Sequence, residues 1–414
     1  MSRELNIRIH FYITSLFAFL LPIYPDILPA IIVLLIINWL AGGNFVRLFR
    51  KNKFLFPFLL FISLYVLYAI GLIYSENLDF GLFDLETKLS LLIFPLIFFS
   101  SENFNKMQLQ SILKAFTYGC VASSIICFGY ALYQYFHVKY LLANNIWAWN
   151  YGINFFLKDR LSIWMHPGYR AMYFVMGLAF IYLFRKKEQH LSFLEKYLIP
   201  IILAVFVLLF NSKAGILSLL ILGIYIGWQL IFKEKKIKLA AAGMAVSILL
   251  FLSLYFAAPE FAIRINNVFN AFSEKVDVRK SEESTATRMA LWDAAKTVIA
   301  ENFLAGTGTG DVKDALMKEY SKEGMTFAIK ENLNTHNQFL QTFAALGIIG
   351  FLSLCASLLI PFFMEWKKRN YIYVVFILII IINFLTESML ETQAGVVFYA
   401  FFNSLLLFSD QEKA

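Results

Sequence analysis

The sequence predicts an all-α polytopic membrane protein with about twelve transmembrane helices and one long outward loop containing short helices. Three observations carry this. Hydrophobic residues make up 60% of the 414, only 15% are charged, and the mean hydropathy is +0.67, a balance foreign to soluble domains of this size. Apolar runs approaching the roughly 20 residues a span requires recur along the chain. Lys and Arg cluster in alternate short connections, which orients the runs.

In order, the first run, 9 to 24, follows Arg3 and Arg8, lacks a small-residue cleavage site and leads directly into a second at 27 to 43. It is therefore expected to be a retained span and not a signal peptide. The run 54 to 74 follows Arg47, Arg50, Lys51 and Lys53 and ends at the acidic turn Ser75-Glu76-Asn77-Leu78-Asp79. Runs at 88 to 100 and 108 to 136 flank Lys106, and 166 to 184 ends at Arg185, Lys186 and Lys187. After Lys196 come 197 to 211, 214 to 232, then Lys233, Lys235, Lys236 and Lys238, then 239 to 257. The last three, 336 to 364, 371 to 384 and 392 to 409, are joined by Lys367-Lys368-Arg369 and by Thr386-Glu387-Ser388. Positive loops stay in the cytoplasm, so both termini are expected there. The organisation expected is a transmembrane bundle at 1–257, a loop subdomain at 258–335 and a second bundle at 336–414.

The net charge of +8 is accounted for by these topology signals and by anionic lipid, so no nucleic-acid partner is expected. Cys120, Cys127 and Cys355 all fall inside runs without metal-ligand spacing, and read as small buried side chains.

Two outward connections exceed simple turns. The first, about 137 to 165, holds Tyr140, Trp147, Trp149, Tyr151, Phe155, Phe156 and Trp164. It fits an interfacial aromatic belt or a stacking surface for sugar rings or a prenyl chain. In the second, Phe272 to Ser284 is polar and charge-dense and is expected to be mobile. A helix capped by Ser284, Thr285 or Thr287 follows, with Met289, Trp292, Ala295 and Ile299 as its apolar stripe and Arg288 one turn before Trp292. Gly306-Thr-Gly308-Thr-Gly310 lacks the strand and lysine of a phosphate loop and reads as a tight backbone turn.

Chemistry concentrates at the outward ends. With Asn334 or Thr335 as N-cap, His336 would occupy the first turn of a span, where the helix dipole favours a neutral imidazole fit for general-base work. Lys213, in Asn211-Ser-Lys213-Ala-Gly215, is an outward lysine against the charge rule of the chain. His166-Pro-Gly-Tyr169-Arg170 opens another span at that level. Each has a plainer structural account: a snorkelling lysine, a solvated arginine, an interfacial histidine bonded to a carbonyl, a Pro/Gly-shaped helix entry. Together they form a cationic face with few nearby carboxylates, suited to a lipid phosphate or pyrophosphate leaving group. The outward carboxylates Asp79, Asp84, Glu86, Glu387 and Glu391 form no Asp-x-Asp pair; they are candidates for a metal or for orienting His336, and neither a metal nor another cofactor is expected.

At Gly71-Leu-Ile-Tyr-Ser75, His166-Pro-Gly-Tyr169, Ser212-Lys213-Ala-Gly215, Thr287-Arg288-Met-Ala-Leu-Trp292, Gly306-Thr-Gly308 and Thr335-His336-Asn337-Gln338-Phe-Leu-Gln341 the chain resembles the bacterial O-antigen ligase and O-antigen polymerase superfamily. These are GT-C-like polytopic glycosyltransferases acting on undecaprenyl-diphosphate glycans. The resemblance implies a metal-independent, inverting transfer at the periplasmic face of the inner membrane, to a lipid A-core sugar in ligases or to another lipid-linked glycan in polymerases. It places the catalytic histidine on His336, the loop arginine on Arg288, and a phosphate-binding arginine on Lys213, a departure that keeps the charge and loses the fork. His166, Tyr169, Arg170, Trp292, Asn337 and Gln338 complete the expected substrate-binding set. The rival classes are a lipid-linked glycan transporter or flippase, disfavoured by spans nearly free of ionisable groups, and a non-catalytic assembly subunit that would not need His336.

Overall fold

The computed structural model describes residues 2–49, 55–144, 154–187, 192–257 and 284–408, with single positions between 259 and 266. Trp147, Trp149 and Tyr151 lie outside the described residues, as do Arg50, Lys51, Lys53 and the charged segment after Phe272 up to Ser284.

Each expected span is helical among the described residues. In chain order these are α1 Arg3–Leu20, α2 Leu28–Ala41, α3 Leu55–Ile73, α4 Leu78–Lys88, α5 Ser90–Ser100, α6 Lys106–Ala143, α7 Lys158–Leu161 and α8 Pro167–Lys187. Then follow α9 Ile199–Leu209, α10 Lys213–Trp228, α11 Ile237–Ala257, α12 Ser284–Glu301, α13 Val312–Lys322, α14 Thr326–Lys330, α15 Gln338–Lys367, α16 Tyr371–Thr386 and α17 Gln393–Phe408. Among the described residues, four helices are long and apolar enough to cross a membrane: α3, α6, α10 with its continuation to Lys233, and α15. The chain is a multi-pass membrane protein.

Two boundaries differ from expectation. Helix α4 precedes the run at 88 to 100, nucleated by the Asn77 side chain accepting from the Phe80 amide at 3.1 Å. Helix α6 runs 38 residues to Ala143, so Tyr140 is helical and the aromatic connection starts later than 137.

The apolar residues on either side of the long loop share one core. Helix α17 runs through its centre, buried from Gly395 to Phe408. Phe401 meets Phe17 of α1 at 4.7 Å between ring centroids, Phe402 meets Phe116 of α6 at 4.8 Å, and Phe398 stacks on Tyr173 of α8 at 4.5 Å. Such pairs add about 0.5–1.5 kcal/mol each beyond area burial, and in lipid this packing replaces the missing hydrophobic drive between helices.

The ends of the bundle differ. At one, Arg3 pairs with Glu102, Lys114 lies 3.6 Å from Glu195, and Lys368 lies 2.7 Å from Glu365. The other gathers the turns at Pro22, Ser75, Trp164, Lys213 and Glu387 with the helices of the long loop. There α12 packs on α15, burying Leu291, Ala294, Ala295, Val298 and Ile299. Met289, expected in that stripe, is 41% exposed: the 3.6-residue period fits two neighbouring registers and packing selected the other.

Helix α15 is broken at Gly347, with φ 63° and ψ −162°. The segment 306–310 lies across the break and supplies partners for the backbone groups it frees. The Thr307 amide donates to the Ala344 carbonyl and the Gly308 amide to that of Ala345, both at 2.9 Å, while the Ile348 amide donates to the Phe303 carbonyl at 2.9 Å. On its other side the Thr309 hydroxyl donates to the Tyr68 carbonyl at 2.6 Å and the Gly310 amide to Ser75 Oγ at 2.9 Å. The segment is thus a strap joining α3 to α15. Gly306, at φ 72°, has no room for a side chain, since a Cβ would meet the Ala345 carbonyl carbon at 2.4 Å. Gly306→Ala is expected to lower stability by about 1–3 kcal/mol, read as a fall in melting temperature of the purified protein.

Candidate functional site

The site is assembled where three polar turns meet at the end of the bundle carrying the long loop. Arg288 occupies the second turn of α12, His336 precedes α15, and Glu387 follows α16. Glu387 joins the other two: one carboxylate oxygen lies 2.5 Å from an Arg288 terminal nitrogen, the other 2.8 Å from His336 Nδ1. The Glu387 amide closes α16 by donating to the Asn383 carbonyl at 2.8 Å, which fixes where the side chain begins. Burial pushes the Glu387 carboxyl up, but the His336 hydrogen bond and the charges of Arg288, His336 and His166 outweigh it and hold the group below the usual carboxylate range. Glu387 is therefore anionic throughout the pH range in which an imidazole titrates. Of the outward carboxylates named from the sequence, Glu387 sits at the centre of the cations, drawn there by tertiary packing between α12, α15 and α16.

His336 is not in the first turn of its helix. Asn337 is the N-cap, its side-chain oxygen accepting from the Phe339 and Leu340 amides at 3.0 and 3.2 Å, and His336 stands outside the helix at φ 48°. Glu387, not the helix terminus, orients the ring.

Much of the motif around His336 builds its mount. Gln338 is fully buried, donating to Thr342 Oγ1 at 3.0 Å and accepting from the Leu390 amide at 2.7 Å. The Asn337 amide reaches Ser388 Oγ at 3.2 Å, and the Trp292 indole N–H donates to the Thr335 carbonyl at 3.0 Å. Asn337, Gln338 and Trp292, expected to touch substrate, use these polar atoms to position Thr335, His336 and the turn after Glu387. A helix start must first satisfy its own amides, and here that need absorbs the conspicuous polar side chains.

Arg170 is also corrected. It is 1% exposed, and its guanidinium donates to Ser162 Oγ at 3.0 Å, to the Pro22 carbonyl at 3.2 Å, to Ser123 Oγ and to the Ile163 carbonyl. It ties α6 and α8 to the turns at Pro22 and Ile163 and is not presented to a ligand. Its neighbours do approach the site: His166 lies within electrostatic reach of Glu387, His336 and Arg288, and Tyr169 of Glu387 and Arg288. The Gly168 amide donates to His166 Nδ1 at 3.2 Å.

Lys213 is the first residue of α10, whose N-cap Ser212 accepts from the Gly215 amide at 3.2 Å. Its ammonium donates to the Thr285 hydroxyl, one helical turn before Arg288. The two cations thus converge on the start of α12.

Of the other outward carboxylates, Asp79 and Glu86 are exposed, whereas Asp84 and Glu391 both pair with Lys88. Sequence reading missed this lysine by making it the first residue of a span, although Asp84 and Lys88 stand at ion-pair spacing on a helix. Among the described residues, no three His, Cys, Asp or Glu side chains come together in a group able to hold a metal ion.

Comparison with known proteins adds a family. Residues 198–355 match the family model described as O-Antigen ligase, a segment containing Lys213, Arg288 and His336 and lacking His166 and Glu387. A curated protein of Haemophilus influenzae (strain ATCC 51907 / DSM 11121 / KW20 / Rd), named only as an uncharacterized protein, is 24% identical over 236 residues, covering 54% of this chain and 58% of the relative. The chain thus spans a little over half the length of that relative. Over residues 198–355, the chain is therefore similar to the O-antigen ligase family.

Proposed function

We propose that the protein transfers a glycan from undecaprenyl diphosphate to a sugar hydroxyl of lipid A-core, at the periplasmic face of the bacterial inner membrane. The observation that carries this is the Arg288–Glu387–His336 arrangement. An anionic Glu387 requires the hydrogen on His336 Nδ1, which leaves Nε2 with the lone pair that a general base needs. The imidazole keeps 27% of its side chain exposed, so the acceptor can reach it.

In the reaction, the acceptor oxygen attacks the anomeric carbon as its proton passes to His336 Nε2. The new carbon–oxygen bond forms as the bond from the anomeric carbon to the diphosphate oxygen breaks, and undecaprenyl diphosphate leaves with the electron pair. Attack opposite the leaving group inverts the configuration. Lys213 and Arg288 meet the charge that grows on the diphosphate, so no divalent ion is required. Glu387 stabilises the imidazolium until it releases its proton.

Ligation is favoured over polymerisation by the description of the matched family. The test is transfer by purified protein in nanodiscs, with lipid-linked glycan as donor and either lipid A-core or a second lipid-linked glycan as acceptor, in EDTA. Product on lipid A-core is expected. Product only on the lipid-linked acceptor would make the protein a polymerase, and activity restored only by Mg²⁺ would move the chemistry to a metal.

A further inference from the structure

Lys88 is fully buried, and nothing in the reaction above uses it. Its ammonium donates to Asp84 and, at 3.0 Å, to Glu391, while lying 4.6 Å from the centre of the Tyr68 ring. A buried ion cluster is a poor device for stability alone, because well-packed apolar residues serve as well without the desolvation cost. Its location supplies another role. Glu391 ends the short turn that begins at Glu387, and the two acidic residues are held by cations from two different helices: Arg288 of α12 at the start, Lys88 of α4 at the end. Between them, Ser388 is held by Thr335 and Asn337, and Leu390 by Gln338. Release of Glu391 would leave the far end of the turn without its ionic anchor and loosen the placement of the Glu387 carboxylate against Nδ1, with Arg288 as the turn's remaining cation.

We propose that Lys88 is a positioning residue: by joining Glu391 to Asp84 it holds the turn that presents Glu387 to His336. The consequence for glycan transfer rests on the proposed function, whereas the consequence for the His336 ring does not.

The groups facing His336 are Glu387, Arg288 and His166; the cluster variants alter none of them, and Glu387→Gln serves as the reference change. Lys88→Met leaves two buried carboxylates without their cation and can fail to fold, so it is paired with Asp84→Asn/Lys88→Met/Glu391→Gln, which removes the whole cluster at similar volume. Each is made alone and with Glu387→Gln. The first readout is the rate at which diethyl pyrocarbonate modifies His336, followed on its peptide by mass spectrometry. The triple variant is expected to change this rate as Glu387→Gln does, by roughly three- to tenfold, with no further change when the two are combined. The second readout is transfer, where kcat is expected to fall about tenfold or more with donor KM nearly constant. A folded triple variant with wild-type His336 reactivity, or effects that simply add to those of Glu387→Gln, would show Lys88 to be structural and overturn the proposal. Absence of transfer by the wild-type protein would sink the proposed function and leave the reactivity result to decide the role of Lys88.

Discussion

Replacing His336 with alanine is expected to lower glycan transfer about 10²- to 10⁴-fold, the range a positioned general base contributes, while donor binding and membrane insertion persist. The loss falls on kcat because the proton moves only in the transition state. One structural detail shapes the experiment. His336 sits at φ 48°, where alanine is strained, whereas asparagine tolerates the left-handed region. His336→Asn therefore isolates the missing base from a disturbed backbone, and both variants should be equally inactive. Glu387→Gln should lose less, since the amide oxygen can still accept from Nδ1 but no longer offsets the charge of the imidazolium. Wild-type turnover by a folded His336→Asn protein would remove this residue from the chemistry.

The sequence made some of this legible and hid the rest for definite reasons. Span-length apolar runs are local signals, so each expected span is recovered as helix. Helix α4 was hidden because it is short and mixes apolar with charged residues, and the core position of α17 was hidden because apolar composition cannot distinguish lipid from protein as the surrounding medium. At the site, polar residues at a span mouth were expected to face a ligand; His336 keeps part of its ring exposed, whereas Gln338, Asn337 and Arg170 are buried. These three satisfy the helix start, the turn after Glu387 and the turn at Ile163. Glu387 was visible as a residue that could orient His336, but its pairing with Arg288 spans 99 positions and no local pattern encodes it. Lys88 was lost for a related reason: its partner Glu391 is 303 positions away.

Lys213→Gln and Arg288→Ala are each expected to slow transfer about 10- to 100-fold, since a charge-assisted hydrogen bond to phosphate is worth about 1.5–3 kcal/mol. The two losses have different composition. Arg288→Ala also takes from Glu387 its cationic partner, leaving the carboxylate to His336 alone, so its effect includes a disturbed base. Arg288→Lys restores a charge without the fork that can hold Glu387 and phosphate at once, and should recover only part of the activity. Lys213 is the cleaner probe because its ammonium donates to the Thr285 hydroxyl, which glutamine can also engage. Lys213→Gln thus preserves the local hydrogen bond while removing the charge, and Lys213→Arg keeps the charge while adding a second donor direction. With donor limiting, Lys213→Arg should match or exceed wild type and Lys213→Gln should fall well below it. Equal turnover by both would mean that the lysine only anchors α10 to α12, and the diphosphate would then have to be met by Arg288 and His166.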